Sequence, residues 1–500
     1  VKSIKLTAEN IYDLYSPKYC RRRLFYRFNN REEIPPGPFE QVIFELGKRH
    51  EQDHINFLGR FVDLSSGSLQ ERASRTIEQL NKGIPIIYQG VLLVDVNLDG
   101  SQVQVLGIPD ILIPEGSSYV IRDCKLARHA TERIHPEIRA QMQVYGYLFE
   151  KSFGGKPFRI EAFLGDGSIV DFPYDSRSAI KSLTEILSTV SLPKAPYSPV
   201  GWSKCQGCGF RELCWSEAQA TNDLAQVYGV DQGLVIALRE NGVSTIGQLV
   251  DNYTESSLSE ITRPWGRLSR RVGRDASRIL LQAKAMRDER SIPLERVYLP
   301  TSPNLVVFDL EGFPPYLDEL EKVYLWGVKV YGENPGPYQP SLSPIERDGD
   351  LNGWQDFLSN CQGIFAEYGG IPFIHWASYE RTKVKLYRKR YGDPQGIAER
   401  VLHNLVDLLP LTKKAMVIAE PSYSLKIVER LAGFKRTQDE YGGDWSMAKY
   451  FQAIETDDRS LREDIMAQVL KYNEEDLDAT WAVFQWLKGQ NESFTFFRQD

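Results

Sequence analysis

The residues of this chain that can do chemistry fall into two acidic sets and one set of thiols. Gly107-x-x-Asp110 and Asp123-x-Lys125 place two carboxylates ahead of a lysine. Two carboxylates at one edge bind Mg2+ or Mn2+, which take oxygen ligands. Such an ion assists phosphodiester hydrolysis, and a lysine beside it orients the attacking water and stabilises charge on the phosphate. His50 would add an imidazole ligand, which suits Mn2+ better than Mg2+. Gln141 and Tyr145, four apart on a helix, would share a face and contact substrate or the ligands. The second set runs from Asp309-Leu310-Glu311 to Tyr472-x-x-x-Asp476. Two like charges buried on one strand are costly unless a cation sits between them. The thiols are Cys20 and the run Cys205-x2-Cys208-x5-Cys214, a spacing that suits a metal or an iron–sulfur centre.

Positioning these groups requires particular elements. Phe39, Val42, Ile43, Leu46 and His50 recur at helical spacing. Gln89 to Asn97 reads as a strand, and Asn97-Leu98-Asp99-Gly100 reads as its turn. Val103 to Ile113 and Tyr119 to Asp123 read as further strands around Pro114-Glu115-Gly116. Asp110 and Asp123 would then converge from neighbouring strands, with Lys125 on the face of Asp123. Glu137 to Lys151 reads as a helix ending near Gly154-Gly155. Leu305 to Glu311 reads as a buried strand. Ile465, Val469, Tyr472, Asp476, Ala479 and Val483 trace one helical face, so Asp476 needs a metal or an arginine partner. In between, Leu238 to Ile246 resembles a helix-hairpin-helix turn, with Gly242 turning the chain and Thr245 starting the next helix. Arg267, Arg270, Arg271, Arg274 and Arg278 lie at helical spacings and predict a basic ridge for phosphates.

A chain of 500 residues exceeds one ordinary core, so two or three domains are expected. Hydrophobic content of 42% and charged content of 25% are ordinary for a soluble globular protein. A net charge of −7 argues against a wholly basic surface but permits local basic patches. No apolar run approaches the ~18 residues of a membrane span, and no signal-peptide core is present, so a cytoplasmic location is expected. Six cysteines in so long a chain are not a disulfide framework. Cys124 and Cys361 read as ordinary buried thiols.

Each acid alone also reads as structural: Asp110 after a Gly-Ile-Pro turn, Asp123 and Lys125 on a solvated strand face, His50 in a core. Taken in order, the motifs resemble the RecB-type PD-(D/E)xK nucleases. More narrowly, they resemble those with an iron–sulfur staple, such as the CRISPR-associated RecB-like exonucleases and AddB. This resemblance covers about residues 8 to 218. It implies a structural [4Fe–4S] cluster on Cys20, Cys205, Cys208 and Cys214, with a four-cysteine zinc site as the alternative. Cys20 is followed by Arg21-Arg22-Arg23 rather than the Pro-Arg often seen, and these arginines read as phosphate contacts or as a solvated basic turn.

About residues 300 to 488 resemble the RNase H-like DEDD exonucleases, especially the 3′–5′ exonuclease domain attached to RecB-like nucleases. By that resemblance Asp309, Glu311 and Asp476 hold two divalent ions and Tyr472 orients the water. The middle motif departs from the pattern. Glu380, in His375-Trp376-Ala377-Ser378-Tyr379-Glu380, is the candidate for the missing acid, and Asp407 is its rival.

The fold class expected is therefore α/β multidomain. A PD-(D/E)xK restriction-endonuclease-like core with an iron–sulfur staple would span 1–218. A helical, helix-hairpin-helix-like nucleic-acid-binding segment would span 219–295, and an RNase H-like α/β domain 296–500. The expected activity is metal-dependent hydrolysis of DNA phosphodiesters, as an exonuclease on single strands or ends, with RNA left open. The alternative is a non-catalytic nucleic-acid-binding subunit of a helicase–nuclease complex. No Walker-type phosphate loop occurs, so any helicase partner would be a separate chain.

Overall fold

The computed structural model describes residues 4–15, 18–83, 85–131, 133–266, 268–313, 322–343, 350–438 and 442–496. Two compact units result. One holds the described residues through Ser198 together with Ser203–Leu213. The other holds Pro199–Trp202 and the described residues from Cys214 onward. No described helix is long and apolar enough to cross a membrane.

The first unit is built on a six-stranded sheet, ordered Phe61–Asp63, Ile86–Tyr88, Ile111–Glu115, Ser118–Lys125, Arg159–Leu164 and Ile169–Phe172. A smaller sheet pairs Ile4–Thr7, Ser101–Gly107 and Leu92–Leu98 in that order. The stretch read as one strand from Val103 to Ile113 is thus two strands in different sheets, broken at Ile108-Pro109-Asp110. Proline lacks the N–H that would continue the ladder. Leu92–Leu98 and Ser101–Gly107 are joined by a two-residue turn in which Asp99 and Gly100 take φ of 49° and 82°. Such turns need positive φ at both central positions, which suits Asp-Gly. The helix Pro136–Phe153 is buried along most of its length, including Gln141, Met142, Val144, Tyr145 and Leu148. Gly107 lets it approach: a Cβ there would stand 2.5 Å from Leu148 Cδ1 and 3.0 Å from the Tyr145 ring.

The second unit is organised by a five-stranded sheet, ordered Gln339–Leu342, Lys322–Gly332, Asn304–Phe313, Phe373–His375 and Leu405–Asp407. The first three strands are antiparallel and the last two join in parallel. One face carries an aromatic core of Phe308, Trp326, Trp354, Phe357 and Tyr387. The long helix Arg459–Phe496 supplies Val469, Leu477 and Val483 to buried positions. Gly327 makes room for it, since a Cβ there would collide with Asn473 Oδ1.

This unit also contains the helices Gln232–Glu240, Ile246–Asn252 and Ala276–Arg287. Gly242 turns the chain at φ 79°, and Thr245 caps Ile246–Asn252 reciprocally with Gln248. The arginines expected on one helical ridge do not lie on one. Arg270 and Arg271 belong to a hairpin pairing Thr262–Trp265 with Leu268–Arg271, and Arg274 lies on the single turn Gly273–Asp275. Arg278 alone is helical, and its Nη2 donates to Met416 O and Tyr423 Oη, both at 2.9 Å. Arg267 lies outside the described residues. The helical reading failed because Trp265-Gly266 and the alternation from Arg263 to Arg270 obey a strand period.

Candidate active sites

In the first unit, Asp110 precedes the strand Ile111–Glu115, and Asp123 and Lys125 end the neighbouring Ser118–Lys125. Ile111 pairs with Arg122, so the two acids meet at one end of this hairpin. Backbone donors lock them together. Asp110 N donates to Asp123 Oδ1 at 3.2 Å, and Cys124 N donates to Asp110 Oδ2 at 2.7 Å. Lys125 Nζ lies 2.5 Å from Asp123 Oδ2 and 5.0 Å from the Tyr12 ring centroid. Burial pulls the Lys125 ammonium down, but Asp123 together with Tyr12, Tyr145 and Asp110 outweighs it and holds the ammonium well above its ordinary range. Burial, then Asp123, then Glu51 push the Asp110 carboxyl well up. Gln141 Nε2 donates to Tyr145 Oη at 3.1 Å, while the buried Gln141 Oε1 has no partner among the described residues. The Tyr145 hydroxyl is pushed up by burial and then by Asp123.

His50, expected to add an imidazole ligand, lies against Phe163. Its Nε2 lies 3.4 Å from Phe163 O and its ring stacks on Phe163 at 4.8 Å. The acid side of this corner is occupied by Glu51, whose Oε1 accepts from Gln89 Nε2. That amide also reaches Asp110 Oδ1 at 3.2 Å. Neither His50 nor Glu51 completes with Asp110 and Asp123 a set of ligand atoms within 4.8 Å, among the described residues. Glu51, Gln89 and Tyr12 escaped the sequence reading. Glu51 adjoins the singled-out histidine, one step round the helix Pro38–Leu58, but Gln89 and Tyr12 carry no motif. On the other face of the same strand, Arg122 bridges Glu161 (Nε to Oε1, 2.6 Å) and His54 (Nη1 to Nε2, 2.9 Å). Burial, then Arg122, push the His54 imidazole down to about 4.

The thiols are divided. Cys20 Sγ lies 3.3 Å from Ser198 Oγ, which also accepts from Lys204 Nζ at 2.7 Å. Cys208 N donates to Cys205 O at 3.3 Å, closing the loop between them. The Cys208 thiol is pushed up by burial, and the nearby Cys20 and Cys205 add to this. Cys20, Cys205 and Cys208 are half-buried. They form no set within 4.8 Å among the described residues, whereas a zinc ion with Zn–S of about 2.3 Å would draw its sulfurs to about 4 Å of one another. Cys214 lies on the helix Arg211–Ala220 and falls in the other unit. Of the two thiols read as buried, Cys361 is buried, but Cys124 is only half-buried. The three arginines after Cys20 are not a solvated turn. They open the helix Arg21–Phe28, where Arg21 bonds Thr189 Oγ1 and Arg23 bonds the carbonyls of Tyr12 and Asp13.

In the second unit, Asp309, Glu311 and Asp476 bring ligand oxygens within 4.8 Å of one another. Strand alternation puts Asp309 and Glu311 on one face of Asn304–Phe313, and the long helix lowers Asp476 onto it. Burial, then Asp476, push both strand carboxyls well up. A divalent cation relieves this repulsion, and an all-oxygen donor set fits Mg2+ or Mn2+. Asn473 Nδ2 donates to Asp309 Oδ2 at 2.7 Å, and Tyr472 is buried one helical turn before Asp476. Two cations also stand here that the sequence reading missed. Arg436 Nη2 lies 2.5 Å from Asp476 Oδ1 and 2.8 Å from Glu429 Oε2, and Lys426 is held among Asp476 and Glu311. No spacing links them to the acids in sequence. Glu380 is buried, and its Oε2 pairs with His375 Nδ1 at 3.1 Å. It lies outside the triad but close enough that its charge raises Asp309. The rival, Asp407, caps a helix: its Oδ1 accepts from Leu409 N and Ala377 N, both at 3.0 Å.

Among solved structures, the chain is similar to SSO0001, at 14% identity over 43% of this chain and 88% of that chain, with a TM-score of 0.25. It is also similar to a candidate exonuclease from Eubacterium rectale, at 16% identity over 37% of this chain and 81% of that chain, with a TM-score of 0.24. No curated protein matches. Residues 23–215 match the family model of the PD-(D/E)XK nuclease superfamily, and residues 306–488 match that of the RNase H superfamily. The two matched stretches enclose the two acidic corners, one each, and both matches support a nuclease.

Proposed function

We propose that the chain is a divalent-metal-dependent deoxyribonuclease acting on single strands or ends, with two separate hydrolytic sites. The observation that carries this reading is the convergence of Asp309, Glu311 and Asp476 within 4.8 Å. Glu311 and Asp476 are buried and Asp309 half-buried, and Arg436 and Lys426 offset only part of their repulsion, so their retention makes sense as an ion site. Asp309, Glu311 and Asp476 would hold the ion in the second unit, with Asp110 and Asp123 doing so in the first. A bound ion supplies Lewis-acid stabilisation of the phosphoryl oxygen and a more acidic water. Tyr472 orients the nucleophile beside Asp476. Lys125, fully charged, stabilises the negative charge that builds on the phosphate, and Gln141 and Tyr145 hold the substrate side of that corner. Glu380, tied to His375, tunes the charge around Asp309 rather than completing the triad. Cys20, Cys205 and Cys208 supply thiolates for a structural iron–sulfur centre, which would give the purified protein a brown colour.

A second reading, a nucleic-acid-binding subunit that does not cut, is favoured by one feature. Each acidic corner already holds an internal cation, Lys125 on Asp123 and Arg436 on Asp476. Anaerobically purified protein incubated with single-stranded DNA and Mn2+ separates the two. Metal-dependent cleavage supports the nuclease, and binding without cleavage at every metal concentration supports the subunit.

A further inference from the structure

The hairpin of Thr262–Trp265 and Leu268–Arg271 has a surface that the hydrolytic sites do not use. Its register pairs Arg263 with Arg270 and Trp265 with Leu268. Alternation puts all four on one face, so a rung of two arginines stands behind a rung of two apolar residues. At the tip, Trp265 is 48% and Leu268 74% exposed, two paired apolar side chains presented together to solvent. The Arg263 and Arg270 guanidinium carbons lie 5.5 and 5.2 Å from the Trp265 ring centroid. The base of the hairpin is rigid. Arg263 is buried and ion-paired to Asp231 at 2.6 Å, and Gly233 lies so close to Pro264 O that any Cβ would collide with it. The Trp265 ring therefore stands half exposed on a braced arm. Arg271 is paired with Glu260 at 2.7 Å, but Arg270 lies 3.9 Å from Asp275, with both side chains about half exposed. At that distance and exposure the pair is weak, and a phosphate competes for the guanidinium.

We propose that this hairpin is a stacking platform for single-stranded nucleic acid, with Trp265 taking an unpaired base and Arg270 taking a flanking phosphate. The proposal rests on the nuclease reading for its choice of ligand and adds the strand form that is gripped. A ring with cationic neighbours serves any base, so the grip is indifferent to sequence. A duplex hides its base faces and gains nothing from Trp265.

The test is binding without cleavage. The full chain is titrated in EDTA against fluorescein-labelled oligothymidylate, oligouridylate and a DNA duplex of equal length. Loss of one stacked base weakens binding between about 5- and 150-fold. Trp265→Ala should therefore weaken single-strand binding by about tenfold or more, leave duplex binding unchanged and keep the same salt slope. Trp265→Tyr should restore most of the loss, and Arg270→Gln should flatten the salt slope. Comparison of the thymidylate and uridylate arms separates DNA from RNA as the preferred strand. Parental single-strand affinity in Trp265→Ala, or an equal loss on duplex, overturns the proposal. A parent that cuts with Mn2+ but shows no single-strand preference in EDTA overturns the platform and leaves the nuclease reading standing. A parent that neither binds nor cuts overturns both.

Discussion

Glu311→Gln should stabilise the metal-free protein while removing the ion site proposed for the second unit. Glu311 lies within 4.8 Å of both Asp309 and Asp476, and two unit charges at that distance repel by about 3.5 kcal/mol at an effective dielectric of about 20. Arg436 on Asp476 and the adjacent Lys426 offset part of this, and so does partial protonation of the raised carboxyls. A net gain of about 2 kcal/mol remains, which raises Tm by about 4–8 °C for a domain of this scale. The sign with pH follows from the direction of the shift. A carboxyl raised in the folded state binds its proton more tightly there than in the unfolded chain. Its contribution is intact near the unfolded value of about 4.5 and is lost as pH rises through the higher folded value. The advantage of Glu311→Gln in EDTA should therefore grow as pH rises above the unfolded value. Excess Mn2+ should reverse the order, since an ion at 100 times its Kd adds about 2.7 kcal/mol to the parent and little to the variant. Differential scanning fluorimetry in EDTA and in Mn2+ measures both effects. A variant less stable than the parent in EDTA at neutral pH, or one keeping the full Mn2+ shift, would refute the reasoning.

Other expectations concern the first unit. Lys125→Met leaves Asp123 buried without its cation and should cost about 3–5 kcal/mol by urea denaturation, besides silencing that site. Gly107→Ala drives a methyl into Leu148 and the Tyr145 ring and should destabilise by about 1–3 kcal/mol, with loss of cleavage tracking the displacement of Tyr145. His54, held near 4, stays neutral in the folded chain while the unfolded chain protonates near 6.5. Stability should fall by up to about 3 kcal/mol between those values as pH drops, and His54→Gln, followed by circular dichroism, should lack that slope.

Much of both corners was legible because strand and helix periods dictate which side chains share a face. Asp123 with Lys125, Asp309 with Glu311, and Asp476 on the apolar stripe with Val469 and Val483 all follow from period two or period 3.6. The need of Asp476 for a cation was legible too, and Arg436 meets part of it. Which cation was not, because Arg436 and Lys426 arrive from a segment with no fixed spacing to the acids. Glu51 was overshadowed by its neighbour His50, since a helix turns by 100° per residue and the choice between adjacent positions depends on tertiary packing against Phe163. The arginines from Arg270 to Arg278 fit a helix on spacing alone. The turn at Gly266 and the alternation of Arg263, Trp265, Leu268 and Arg270 carried the contrary signal, and with it the exposed face of the hairpin.

The most direct measurement compares four proteins on end-labelled single- and double-stranded DNA and RNA in Mn2+. They are the parent, Asp123→Asn, Glu311→Gln and the double variant. Two hydrolytic sites predict partial, differently patterned cleavage in each single variant and none in the double variant. Undiminished cleavage by the double variant would contradict the assignment of hydrolysis to these acids.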